Sequence, residues 1–136
     1  MAAYVKYPAA VEPLLEAGNA GTDSWFVALA NTINAADTVF TPGTTDLATG
    51  GGYTQGGNAV AVSSATQTAG VFKLVLASPA AWTATGGGFT YRYAILRNST
   101  LGIPVAYWDN GSSVVAPAGD TVTLTLSPSN GVFTVT

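Results

Sequence analysis

From residue 23 onward the chain reads as short apolar or alternating runs separated by turn residues, chiefly glycine, proline and Asn-Gly. A period of two with turn residues at each end predicts β-strands. Residues 24–30 (SWFVALA) are apolar on both faces, which predicts a strand covered on both sides. Residues 59–63 predict a short strand, and residues 71–77 a better one, with Phe72, Leu74 and Leu76 inward and Lys73 outward. In residues 90–97, Tyr91, Tyr93 and Ile95 share one face, and Arg92, Ala94 and Leu96 the other. Residues 104–108 are followed by Asp109-Asn110-Gly111, a strong hairpin signal, with 113–115 as the returning strand. Val122, Leu124 and Leu126 alternate with Thr121, Thr123 and Thr125 as a one-sided strand. A second Asn-Gly at 130–131 turns the chain into a last strand, with Phe133 and Val135 inward. Gly50–Gly52, Gly56 and Gly57 place a long loop over residues 41–58.

About seven or eight short strands at regular spacing predict an all-β fold, an antiparallel β-sandwich of jelly-roll-like character, because each one-sided sheet must cover its apolar face. A small β-barrel is the alternative. Residues 1–22 read differently. A short helix is compatible with residues 9–17, where Val11, Leu14 and Leu15 share a face before Gly18 and Gly21 break it. This divides the chain into an N-terminal arm, 1–22, and a sandwich domain, 23–136. A terminal segment packed on its own domain is the competing reading of 1–22.

The chain has no histidine and no cysteine. It therefore lacks the commonest general base, the commonest transition-metal ligand and any thiolate, and no disulfide framework or cysteine-bound zinc is available. No S-x-x-K spacing occurs, and Lys6 and Lys73 are isolated. Asp109 and Asp120 sit in turns, where an aspartate usually bonds its own backbone. Asp37 and Asp46 are too far apart for a calcium loop, and neither glycine cluster leads into Lys-Ser/Thr or a helix. The reading is a non-enzymatic protein without metal or cofactor. The triplets at Asn98 and Asn110 match a glycosylation acceptor, but no signal peptide is expected, since Pro8, Glu12 and Pro13 interrupt any apolar run.

Charged residues are 8% of the chain, with a net charge of -3, against about 25% charged in an ordinary soluble domain. Four cations leave no footprint for nucleic acid, and no apolar run approaches the roughly 18 residues of a membrane helix. A surface of Thr, Ser, Gly, Ala and Asn has little repulsion to keep copies apart, which suits a fixed assembly. Trp82, Tyr91, Tyr93, Tyr107 and Trp108 cluster in the C-terminal half. Such rings serve core and inter-subunit packing, or stack on sugars. Packing is the stronger reading, because aromatics bury large areas.

Residues 53–62 (YTQGGNAVAV), Trp82-Thr83-Ala84, the strand 90–98 (TYRYAILRN) and residues 104–135 together resemble a recurrent small β protein of tailed-phage genomes, often encoded among virion structural genes. The resemblance covers roughly the last two-thirds of the chain and rests on structural rather than chemical motifs; residues 1–22 have no counterpart in it. It implies a virion structural protein made in the host cytoplasm. The expected role is a capsid cement or decoration protein on the capsid exterior, bound to the major capsid protein and to itself as a homo-oligomer, with a homotrimer expected. A receptor- or glycan-binding head- or tail-fibre module is the alternative. The residues expected to make oligomer or capsid contacts are Tyr4, Tyr7, Leu14, Leu15, Tyr107 and Trp108. With residues 1–22 as an arm, deleting residues 2–20 is expected to leave the β domain folded and to abolish assembly.

Overall fold

The computed structural model describes the backbone of residues 4–135 and side chains through Thr134, so the expected inward side chain of Val135 and the ends of the two predicted ranges, 1–3 and 136, lie outside it. Among the described residues, ten strands form three antiparallel sheets. The largest has the order β1 (Tyr4–Lys6), β8 (Ile103–Ala116), β7 (Phe89–Asn98), β2 (Trp25–Ala30), β3 (Asn58–Val60). The second is β10 (Phe133–Val135), β5 (Val71–Leu76), β4 (Val62–Thr68), and β6 (Trp82–Thr83) pairs with β9 (Thr121–Val122). The two larger sheets pack face to face as a sandwich. Trp25 of β2 meets Phe133 of β10 at a ring-centroid distance of 6.2 Å, and Phe133 meets Phe72 of β5 at 6.0 Å. No closed barrel forms.

β2 is an interior strand of the larger sheet, paired with β7 on one side and β3 on the other. Its two-sided apolar sequence has the expected consequence: Trp25, Val27 and Leu29 are buried, and so are Ala28 and Ala30. Each fully buried Leu, Ile or Val here contributes about 1.5–3 kcal/mol relative to leaving it in water. Leu74, Leu76, Ile95 and Leu96 complete the same core.

Three local expectations are corrected. Asp109-Asn110-Gly111 is not a hairpin. β8 runs through it, and both its halves pair with β7: Tyr93 opposes Asp109 and Tyr91 opposes Val114, so Arg92 alone faces residues 110–113. Ten residues of β7 need partners for their backbone groups, and residues 114–116 meet that need better than folding back on 104–108. The extra residues form a bulge, held by a hydrogen bond from the Gly111 N–H to Asp109 Oδ1 at 2.8 Å, with Gly111 at φ 87°. Residues 121–126 keep their alternation, with Val122 and Leu126 buried and Thr121, Thr123 and Thr125 exposed, but only Thr121 and Val122 join a ladder. A period of two reports which side is covered, not which backbone is paired.

The third correction concerns the N-terminal segment. Its helix forms as Val11–Glu16 (α1), after a 3-10 turn at Pro8–Ala10. The described part of residues 1–22 is nonetheless packed on its own domain rather than extended from it. β1 pairs with β8 in the register Tyr4↔Trp108, and the Tyr7 N–H donates to Val105 O at 2.8 Å. Tyr7 and Ala10 belong to the core, and the Trp25 indole N–H donates to Ala20 O at 3.0 Å. A strand completes an otherwise open sheet edge, which is why the segment docks here. Deleting residues 2–20 would strip that strand and uncover Val105 and Trp108, so loss of folding is the outcome the structure supports.

The β4–β5 hairpin is closed by two residues, Ala69 and Gly70, between the paired Thr68 and Val71. Both have φ > 0, 53° at Ala69 and 82° at Gly70, and Ala69 is the one non-glycine residue in that region among those described. An alanine there costs about 1 kcal/mol, which asparagine largely relieves. Ala69→Asn is therefore expected to raise the thermal midpoint by about 4 °C in a calorimetric scan. An unchanged or lower midpoint would show that the turn is not strained.

Candidate functional site

The N-terminal segment, β8 and the C-terminal strand enclose a groove of about 590 Å³. Tyr4, Val11, Leu14 and Leu15 form one wall, Val105 and Trp108 the floor, and Leu126, Val132 and Phe133 the other wall. Among the described residues, Lys6 is the only charged one lining it. The pairing of β1 on β8 sets Tyr4 directly opposite Trp108, and their rings meet edge to face at 5.5 Å. Leu15 is 67% exposed, and Val11 and Tyr4 are about 40% exposed. The short helix therefore presents apolar side chains to solvent along the rim.

Five of the six expected contact residues, Tyr4, Tyr7, Leu14, Leu15 and Trp108, line this groove. Tyr107 does not. It alternates with Trp108 along β8 and meets Tyr7 at 5.6 Å and Tyr93 at 6.0 Å, both edge to face. Trp108 itself is 94% buried and Tyr7 wholly so; they are the groove's foundation, and only its rim is open to a partner. Burial raises the Tyr4 phenol to about 12, although two-fifths of the residue remains accessible. Burial, then the Asp37 charge, push Tyr7 well above its ordinary range.

A second cleft, about 460 Å³, opens where the extended residues Thr123–Thr125 cross β7 and β8. Tyr91, Arg92, Asn110, Thr123 and Thr125 line it above Ala94 and Trp108. Arg92 binds Asp109 bidentately, at 2.8 and 3.0 Å, on the flank of the bulge. The Arg92 hydrogen bonds, then the Gly111 N–H, hold the Asp109 carboxyl below the usual carboxylate range. Both side chains are just over one-third exposed, so the pair fixes the bulge's shape more than it adds stability.

The one buried acid among the described residues is Asp46, in the glycine-rich loop. Oδ2 accepts the Tyr53 hydroxyl at 2.5 Å and the Gly56 N–H at 2.6 Å, and Oδ1 accepts the Gly43 N–H at 2.7 Å. Tyr53 Oη in turn accepts the Leu29 N–H at 3.0 Å, and the Leu47 N–H donates to Leu29 O at 2.9 Å. β3 pairs with β2 only as far as Val27, so this loop takes over the edge of β2 where β3 ends. Gly57 is fixed by the same docking: a Cβ there would lie 2.0 Å from Val27 O. Arg97 braces the loop by donating to Gly56 O at 2.9 Å, with its guanidinium 4.4 Å over Phe26 and 4.7 Å over Phe40. A buried carboxylate that accepts three hydrogen bonds from its own loop is a structural anchor, not a general base. Sequence reading passed over it because Asp46 stands alone in the chain. The nearby Tyr53 and glycines were the available signal.

Asp23 is likewise engaged, accepting from Asn98 Nδ2 at 2.7 Å and the Asn19 N–H at 3.0 Å. Among the described residues no three His, Cys, Asp or Glu side chains gather as a metal cluster, and no helix is long and apolar enough to cross a membrane. No protein-family profile matches the chain, and neither a curated protein nor a solved structure matches it significantly.

Tyr53→Phe removes the acceptor for Leu29 and a donor to Asp46, and is expected to cost about 2 kcal/mol in denaturant unfolding at neutral pH. Burial, then the hydrogen bond to Asp46, raise the Tyr53 phenol well above its ordinary value. A raised phenol stabilises the fold fully below the unfolded value near 10 and loses that contribution as pH climbs through the folded value. Native stability should therefore fall above about pH 10, and less steeply in Tyr53→Phe. Equal slopes would show that Tyr53 is not held neutral by the fold.

Proposed function

We propose that this chain is a structural component of a tailed-phage virion, a capsid cement or decoration protein that binds the outer shell as a homo-oligomer, with a trimer expected, and ties neighbouring major capsid proteins together. The observation that supports the reading is the apolar groove, lined by a single charge among the described residues and rimmed by exposed Leu15, Val11 and Tyr4. Contact area, not reactivity, is what such a surface offers. Many modest apolar interfaces, summed over a shell, resist the pressure of packaged DNA. The absence of histidine and cysteine, and acids engaged in anchoring backbone, make an enzymatic role the weaker reading.

A second reading, a glycan-binding fibre module, draws on the smaller cleft, where a phenol ring, a guanidinium, an amide and two threonine hydroxyls converge. These are the groups that stack on a sugar face and bond its hydroxyls. Glycan arrays discriminate: they stay silent for a cement protein and respond for an adhesin.

The test is particle binding. Val11→Glu with Leu15→Glu alters two exposed side chains, so the thermal midpoint should hold within about 2 °C. Co-sedimentation with shells of the phage that encodes the chain should fall at least tenfold, roughly 1.4 kcal/mol or more of lost contact. Binding that survives both charges, or absence of the protein from purified particles, contradicts the proposal.

A further inference from the structure

The fold treats its sheet edges unequally. β2 is capped by Tyr53 and Leu47 where β3 ends, and β1 covers β8. β4 has β5 on one side and, among the described residues, no strand on the other. It is seven residues long, and Ser63, Thr66, Gln67 and Thr68 are exposed. Soluble proteins guard such an edge with lysine, proline, an inward charge or a cover. None of these side-chain devices is present here: residues 47–72 contain no Asp, Glu, Lys or Arg, and residues 43–78 contain no proline. The irregularity between Val62 and Ser64 leaves residues 64–68 in regular register with β5.

We infer that the free edge of β4 is a strand-addition site for β4 of a second copy of this chain, in an antiparallel two-fold pair. The uncharged, hydroxyl-rich edge fits a second copy because it is compatible with itself. Two-fold pairing sets each residue against its own neighbourhood, so any charge on this edge would meet a like charge, and there is none. Centred on Thr66, the pair places Ser64 against Thr68, Ala65 against Gln67 and Thr66 against itself. The Ser64–Thr68 and Thr66–Thr66 pairs oppose hydroxyl side chains, which are favourable cross-strand partners, and Ala65 leaves room for Gln67. A single strand pair buries little area, so the association in solution is weak and strengthens when copies are crowded. The pair joins copies two at a time; on a shell it would link neighbouring oligomers. The inference stands on the edge alone and does not require the virion reading.

Two variants test it. Thr66 opposes Lys73 within the chain, so Thr66→Glu places its carboxylate beside a cation in the monomer but beside a second carboxylate across the two-fold. Sedimentation equilibrium of the native chain should move from 13.7 kDa toward twice that mass as concentration rises, and Thr66→Glu should weaken association about fivefold or more with the thermal midpoint unchanged. The chain has no cysteine, so Thr66→Cys reports the contact directly. Directly opposed residues lie about 4.5–5.5 Å apart at Cα, within disulfide reach. Mild oxidation should yield a covalent dimer far faster at position 66 than with Ala118→Cys on an exposed turn. A native chain that stays at 13.7 kDa, an oligomer that Thr66→Glu leaves intact, or equal cross-linking at both positions overturns the inference.

Discussion

The sandwich depends on how β2 is closed. This strand is buried on both faces, yet β3 pairs with it only through Val27. Beyond that point the N–H and C=O of Leu29 would face the interior without partners, at a cost of about 1–3 kcal/mol each. Tyr53 Oη and the Leu47 N–H satisfy them, and Asp46 fixes Tyr53 while gathering two backbone N–H groups of its own loop. A side chain thus completes a ladder that the strand inventory leaves short. Gly57 follows from this docking, because a Cβ there would strike Val27 O and Ala28 Cα of β2, whereas Gly51 and Gly52 pass against the backbone of Gly88 and Thr83.

Polar groups elsewhere are used in the same way. Asp23 and Asn98 tie the turn after β7 to the segment before β2, and Arg92 with Asp109 fixes the bulge in β8. With so few charges in the chain, several of them hold backbone in place. The remaining surface is hydroxyl, amide and exposed aliphatic, which favours packing against a partner over chemistry on a small molecule. The groove at the N-terminal helix is where that character is most concentrated.

The strands that the sequence made legible were those with neighbours on both sides. β2, β5 and β7 are marked by their runs of large apolar residues, whereas the stretch read as a short strand over 59–63 divides into β3 and the longer β4, whose small and hydroxyl residues and Ala69-Gly70 turn carry a weaker signal. The failures share a cause. Asn110-Gly111 is a turn signal in isolation, but whether it closes a hairpin depends on whether a longer partner is available, and the partners of Val114, Val115 and Ala116 are Tyr91, Thr90 and Phe89, far back along β7. Residues 1–22 looked like an arm because their few apolar side chains are too sparse for a core of their own, whereas Tyr7 and Ala10 use a core built by others. Tyr4, Tyr7, Leu14, Leu15 and Trp108 were legible as a group by residue type, and β1 pairing on β8 explains why they meet. Tyr107 was grouped with them by proximity in sequence, though adjacent strand residues face opposite ways.

Amide hydrogen exchange tests the unequal treatment of sheet edges most directly. In dilute solution the Leu29 amide, covered by the Tyr53 hydroxyl, should exchange as slowly as the paired core amides of β2, while the outward amides of residues 64–68 exchange quickly and gain protection as protein concentration rises. A Leu29 amide as labile as the surrounding loop, or residues 64–68 equally protected at every concentration, would contradict the account.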